Sequence, residues 1–448
     1  MISKNDTSEK WELITLGAIT TKIGSGATPR GGAEAYKKEG ISLIRSQNVL
    51  DFDFSYKGLA FIDEQQAKKL SNVTIEENDV LINITGDSVA RVCMVPSKVI
   101  PARVNQHAAI VRANKTKLDS YYLLYYLLNP SFKKHLLKLA SDGATRNALT
   151  KSDIEGLSIN LPPLQEQNAI AKVLTAFDDK IELLQAQNKT LETMAQTIFK
   201  EWFGKYQIGD ELPEGWRVGR LGDVIDLQSG FSHNTKVSGD TKVKIAKMGV
   251  VDGRNLFNRK SVINYSEVID SKYKLKEDDI IVSTRDVTRD KLIIGNVSLV
   301  PDDLADFGLY AGSNTWIIKT DINRYYLFLL LRNRNFRHHI IQSSKGSTIV
   351  MITRDAFLNC PLIFPHEDIL SEFIKTIDPV FKKIKNNNST IQSLTKTRDT
   401  LLPKLMSGQV RVNNINEESN IVSGDLIENA SGSIPDNIID DGPEINLF

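Results

Sequence analysis

The sequence predicts an α+β protein: two tandemly duplicated mixed α/β domains separated by two long antiparallel coiled-coil helices, the halves related by a pseudo-twofold axis. Three observations predict this. A heptad seam runs without a slip through the middle of the chain, and a weaker one lies near the end. The first half is written again in the second, group by group. Within each half, short β-branched runs alternate with aromatic and leucine stripes at helical spacing.

Residues 1–160 form the first domain. β-Branched runs bounded by turn residues, such as residues 80–85, read as strands. Residues 121–139 read as a helix whose YYLLYYLL face is core packing rather than a platform for stacking bases.

Residues 161–206 form the central helix. Pro162 and Pro163 followed by Gln165, Glu166 and Gln167 mark a start, because proline is tolerated in the first turn and acidic groups suit the dipole there. Leu174, Phe177, Ile181, Leu184, Asn188, Leu191, Ala195, Ile198 and Trp202 then alternate in a 3-and-4 rhythm, which is a coiled-coil seam in need of a partner helix. From Ile170 to Trp202 such a helix is roughly 50 Å long, more than one small domain covers. Asn188 occupies a position where an apolar residue is more stable, and a buried asparagine of this kind fixes register.

Residues 207–364 repeat the first domain. Trp11, Leu16 and Gly17 return as Trp216, Leu221 and Gly222, and Ser25-Gly26 returns as Ser229-Gly230. The run 77–82 (ENDVLI) returns as 277–282 (EDDIIV), Tyr121-Tyr122-Leu123 as Tyr325-Tyr326-Leu327, and 141–145 (SDGAT) as 344–348 (SKGST). Order and spacing kept through half a chain identify a duplication. Residues 280–284 again read as a strand and 325–341 as a helix.

Residues 365–412 form the distal helix, with Ile377, Val380, Ile384, Asn387, Ile391, Leu394, Arg398, Leu401 and Leu405 along its seam. Glu367, Asp368 and Glu372 lie near its start and Lys396, Arg398 and Lys404 near its end, as the dipole prefers. Pro379 marks an irregular first turn and Pro403 a kink or the stop. Its natural partner is the central helix, lying antiparallel. Residues 413–448 are rich in Asn, Ser, Asp, Glu and Gly and read as a disordered tail.

Composition sets the outer limits. A chain of 448 residues, 41% hydrophobic and 25% charged, has room for two or three soluble domains. No run of 18 apolar residues occurs and the first ten residues lack an apolar signal core, so the expected location is the cytoplasm, away from membranes. Cys93 and Cys360 lie in separate halves without metal-ligand spacing and read as buried thiols. The net charge of +1 hides an asymmetry: residues 413–448 hold eight Asp/Glu and no Lys/Arg, which leaves the other 412 residues at +9. A basic body suits a polyanionic partner.

The residues LPPLQEQ at 161–167 leading into Ile170-Ala171, LPEGWRVGRLGDV at 212–224 and LLPKLMSGQVRV at 401–412 resemble the specificity subunit of type I restriction–modification enzymes. The layout is similar too: target-recognition domain, central helix, target-recognition domain, distal helix. The resemblance covers residues 10–412, its helical segments being the specific part and the acidic tail lying outside it. It implies a subunit without catalytic activity that reads an interrupted target in double-stranded DNA, one part per domain, with the helices as a ruler. It further implies docking of two methyltransferase (modification) subunits, which use S-adenosylmethionine to methylate adenine. ATP- and Mg2+-dependent endonuclease/translocase (restriction) subunits join them, while no cofactor is bound by this chain itself.

Candidates for DNA contact are Arg and Lys, for phosphates and guanines, and Asn, Gln, Ser and Thr, for base edges or backbone, where they lie on polar turns. In the first domain these are Ser25, Thr28, Arg30, Arg45, Gln47, Asn48, Arg91, Arg103, Arg146 and Asn147, with the 103–107 turn (RVNQH) among the segments. In the second they are Ser229, Lys247, Arg285, Arg289, Lys291, Asn314, Lys345 and Thr348. For each, a solvated turn or cap is the competing role. Arg45, Gln47, Arg91 and Arg146, then Lys247, Arg285, Arg289 and Lys345, head the set.

Catalysis finds little support. Asn129-Pro130-Ser131-Phe132 is close to the Asn-Pro-Pro-aromatic loop with which amino-methyltransferases grip an amine, but the second proline is missing. The repeat keeps Asn333 and Phe336 around Arg334-Asn335, which reads as a helix interruption. No Walker loop, Gly-rich cofactor loop or HExxH zinc motif is present, and His338-His339 reads as a surface pair. Two other readings stay open: a specificity subunit serving a combined cleavage–methylation enzyme, and a coiled-coil scaffold whose ends bind protein.

Overall fold

The computed structural model describes residues 11–29, 31–141, 147–232, 243–253, 255–288, 291–306, 308–346 and 349–412; the expected acidic tail lies outside them. The chain divides into two compact units, Met1–Glu182 with Gln392–Phe448, and Leu183–Ile391. Both divisions fall inside the long helices, so each unit holds one domain and part of each helix.

In the first unit the strand Glu12–Thr15 pairs antiparallel with Ser158–Leu161, so the chain enters and leaves the domain side by side. A four-stranded antiparallel sheet runs in the order Thr20–Ser25, Ala108–Ala113, Val80–Asn83, Val92–Met94. A three-stranded sheet places Ile41–Ile44 between antiparallel Ala60–Ile62 and parallel Ala102–Val104. All four residues of Val80–Asn83 are buried, which is why this strand reads as an apolar run rather than an alternation. Leu43, Ile62, Leu81, Val104 and Ile110 close the core between the two sheets.

The second unit repeats the topology. Arg217–Arg220 pairs with Pro361–Phe364. The four-stranded sheet runs Ile225–Ser229, Thr315–Thr320, Ile280–Ser283, Val297–Leu299, and Val243–Ala246 lies between antiparallel Val262–Tyr265 and parallel Leu309–Ala311. The duplicated acidic run is turn chemistry. Asn78 (φ 67°) and Asp278 (φ 57°) take the left-handed conformation, while Asp79 and Asp279 each accept a hydrogen bond from the backbone N–H three residues back, at 2.8 and 2.9 Å.

Each expected domain helix is two. Ser120–Leu128 and Pro130–Ser141 flank Asn129, and Arg324–Arg332 and Arg334–Ser343 flank Asn333. The asparagine side chains cap the second helices, accepting from Ser131 N (3.1 Å) and Asn335 N (2.9 Å). Asn129-Pro130 is thus a helix interruption. The tyrosine stripe is core: Tyr122 and Tyr125 are fully buried, and their hydroxyls donate to Asn160 O (2.7 Å) and Asp178 Oδ2 (2.6 Å). Burial and the Asp178 carboxylate push the Tyr125 hydroxyl above its ordinary pKa.

The central helix, Leu164–Phe203, starts directly after Pro162-Pro163, and the distal helix is Glu367–Met406. They run antiparallel within each unit. In the second, Asn188 meets Asn387 and Asn388 while Phe373 packs on Phe203 and Trp202, with ring centroids 4.8 and 5.7 Å apart. In the first, the Arg398 guanidinium pairs with Asp178 (2.5 Å), and Arg411 bonds both oxygens of Glu166 (2.6 and 2.8 Å). Leu174, Phe177, Leu184, Asn188, Ile377, Ile384, Ile391, Leu394 and Leu405 are buried, and Ile181, Leu191, Ile198 and Trp202 half-buried.

Two details of the distal helix differ from expectation. Leu402, 1% exposed, takes the deep position after Arg398, leaving Leu401 half-buried at the flank. Pro379 lies well inside the helix rather than in its first turn. The helix continues because Ile377, Val380 and Phe381 on either side of the missing N–H are held in the core. Pro403 lies in the last turn and stops nothing before Met406.

Candidate nucleic-acid interface

The strand Thr20–Ser25 ends at Gly26, whose N–H donates to Asn105 O at 3.1 Å. A Cβ at this glycine would stand 1.9 Å from Val104 O, so only glycine permits the approach. Asn105 N in turn donates to Ile44 O (3.0 Å), Ile84 N to His107 O (3.0 Å), Leu149 N to Ile84 O (2.8 Å) and Gly86 N to Asn147 O (3.0 Å). The buried Asn83 amide donates to Ser46 O (2.8 Å) and Val49 O (3.3 Å). These bonds stitch five separate polar turns, around residues 26, 46, 86, 106 and 147, into one region of the first unit.

The second unit is stitched in the same way. Gly230 N donates to Thr315 O (2.9 Å), Gly312 N to Ala246 O (2.9 Å), Thr284 N to Asn314 O (3.0 Å) and Ile352 N to Thr284 O (3.2 Å). A Cβ at Gly230 would stand 2.1 Å from Gly312 O. Arg285 pairs with Met351, and Lys345 N donates to Met351 O at 2.8 Å. Ser229, Lys247, Arg285, Asn314 and Lys345 thereby come to one region, Asn314 in the left-handed conformation (φ 62°).

Within the first region Ser25 is half-buried, and Thr28, Gln47 and Asn147 are exposed. Arg45 is half-buried; its guanidinium lies 5.3 Å from the Tyr36 ring centroid and donates to Gly58 O (2.5 Å), to which Gln47 Nε2 also donates (3.0 Å). Arg45 is therefore held in place before any ligand arrives. Arg91 is half-buried at the end of the 86–90 turn. Ser229, Lys247, Arg285 and Lys345 are exposed in the second unit.

Two expected contacts have other roles. Asn48 is 0% exposed; it accepts from Arg45 N (3.0 Å) and donates to Ser55 O (2.8 Å), and the corresponding turn of the repeat has buried Val250 in its place. It holds its turn and cannot reach DNA. Arg103 spends Nε and Nη1 on Ala67 O (3.2 Å) and Ala102 O (2.8 Å), and burial lowers its pKa. Arg30, Arg146, Arg289 and Thr348 lie outside the described residues.

Other residues of the region escaped the sequence reading. Asp286, fully buried, accepts from Thr288 N and Oγ1 (both 2.6 Å), Ile293 N (2.7 Å) and Ile294 N (3.0 Å), which fixes the loop that carries half-buried Lys291. Arg337 supports the same loop through the carbonyls of Ile294, Leu292 and Lys291, with burial lowering its pKa to about 10. The Asp-x-Thr spacing is an Asx-turn signal, but nothing in it points to a loop that closes seven residues later. Among the described residues no cluster of His, Cys, Asp and Glu could hold a metal ion, and no helix is long and apolar enough to cross a membrane.

The type I restriction modification DNA specificity domain, as a family model, matches residues 8–193 and again 213–396. The chain is 28% identical over 417 residues to the type I restriction enzyme MjaIX specificity subunit of Methanocaldococcus jannaschii, covering 87% of this chain and 91% of that one. It is 22% identical to the HindI specificity subunit of Haemophilus influenzae, over 89% and 99% of the two chains. The crystal structure of a type I restriction–modification S subunit from M. genitalium has a similar fold, with a TM-score of 0.52 at 15% identity over 90% of this chain and 98% of that one.

Proposed function

Since the chain belongs to the type I restriction modification DNA specificity family, we propose that its two regions of stitched turns are the surfaces that read the two parts of an interrupted duplex target. The chain is the DNA-recognition component of such a system, not its catalyst. One observation carries the assignment of the surfaces. The same hydrogen-bonded loop convergence is built twice, on the same sheet topology, but displays different side chains each time: Arg45, Gln47, Gln106 and His107 in the first unit, Lys247, Gly249, Ser313 and Asn314 in the second. A shared frame with changed side chains is what two different half-sites require.

The helices are the proposed spacer between the half-sites and the proposed dock for two methyltransferase subunits, with endonuclease subunits joining that complex. S-Adenosylmethionine, ATP and Mg2+ then belong to those partners. Selection from a randomised duplex pool, by the full chain alone and with its methyltransferase partner, tests the reading. Two short conserved blocks at a fixed gap are expected. A single block, or none with either preparation, would overturn it.

A further inference from the structure

The turn between the strands Ala102–Val104 and Ala108–Ala113 carries a chain of side-chain hydrogen bonds. The hydroxyl of Thr28 donates to Gln106 Oε1. Gln106 Nε2 lies 3.0 Å from His107 Nε2, and His107 Nδ1 lies 2.6 Å from Thr85 Oγ1. An amide nitrogen only donates, so His107 Nε2 accepts, the imidazole proton sits on Nδ1, and Thr85 Oγ1 receives it. Every member donates to the next, from Thr28 to Gln106 to His107 to Thr85. His107 is itself anchored, its N–H donating to Asn105 Oδ1 at 3.0 Å.

The consequence falls on Gln106, which is exposed. Each face of its amide has one committed partner, so the group cannot flip without reversing the whole chain. One amide hydrogen and one lone pair have no partner among the described residues, which leaves the exposed amide a donor and an acceptor for a ligand. That pair complements adenine, whose major-groove edge offers N6–H and N7. The equivalent turn of the second unit, matched through the bonds of Gly312 N to Ala246 O and Thr284 N to Asn314 O, carries Ser313 and Asn314 instead. The position is shared; the chemistry displayed is not.

We propose that Gln106 is a base-reading residue of the first unit, specific for an adenine, and that His107 and Thr28 are positioning residues that set which way its amide faces. The inference rests on the reading of the chain as a DNA reader and goes beyond it by naming the residue and the base.

The test is duplex selection with the full chain and its methyltransferase partner, repeated for Gln106→Ala and His107→Phe. Gln106→Ala should erase the preference for adenine at one position of one block, by about 10- to 100-fold, and leave the other block intact. His107→Phe should relax that same position by releasing the Gln106 amide from its partner, while circular dichroism stays unchanged. An unaltered consensus in Gln106→Ala, or a loss spread evenly over all sequences, overturns the proposal, as does a discriminated base other than adenine. Failure of the unsubstituted chain to select any consensus sinks instead the underlying reading.

Discussion

Asn387 donates through Nδ2 to Asn188 Oδ1 at 2.8 Å inside the helix seam, and Asn188 passes its own amide hydrogen to Asn388 Oδ1, also at 2.8 Å. Two polar side chains in an apolar stripe thus meet at one register, with Asn388 and Gln187 taking their remaining bonds. Asn188→Leu should cost about 1–3 kcal/mol, because the buried Asn387 amide keeps only Gln187 Oε1 as acceptor and Asn388 Oδ1 loses its donor. Asn188→Leu/Asn387→Leu should be less harmful than the two single changes added together, since no fully buried amide is then stranded. Urea unfolding of the four proteins checks the cycle.

Arg398 is the third polar residue of the seam. Its guanidinium pairs with Asp178 and Asp399 and stacks 3.9 Å from the Phe52 ring centroid. Burial alone would lower its pKa; the two carboxylates more than offset that, and the charge is held. Arg398→Met should lower stability by about 2–4 kcal/mol by leaving the Asp178 carboxylate without its cation. Arg398→Lys should recover only part of this, as it restores charge but not the planar fork. Urea midpoints of the two variants rank them.

Gly26→Ala and Gly230→Ala test whether each reading surface depends on close backbone approach. The added methyl meets a carbonyl oxygen at 1.9 and 2.1 Å respectively, so the turn must move. Each substitution should blur one block of the selected consensus and spare the other, as read by duplex selection.

Lys247, Arg285 and Lys345 are exposed cations on stitched turns. Alanine at a phosphate-contacting member should weaken binding to all sequences alike and flatten the plot of log affinity against log salt by about one unit of slope. Asn48→Ala is the contrast: it should cost about 1–3 kcal/mol of stability by leaving the buried N–H of Arg45 and carbonyl of Ser55 unpaired, with no change in that slope.

How much of this was readable beforehand depended on the range of the interaction. The helices were readable because a heptad is a local pattern, and the duplication because the chain states it twice. The helix interruption at Asn129 was readable from the missing second proline and from Arg334-Asn335 in the repeat, whereas the turn roles of Asn78 and Asp79 emerged only with the structure. Asn48 was misassigned because an asparagine in a polar turn looks the same whether it faces water or its own carbonyls; its repeat partner Val250 was the available clue. Gln106 could not have been singled out within its turn, since Thr28 reaches it, and Thr85 reaches the neighbouring His107, only after separate strands are aligned. Leu402 displaced Leu401 because the helix keeps its own period near the end rather than the strict heptad.

The pairing of Glu12–Thr15 with Ser158–Leu161, and of Arg217–Arg220 with Pro361–Phe364, closes each domain like a drawstring at its neck. A body whose two ends leave through one neck can be exchanged for another of different surface without retuning the rods it hangs from.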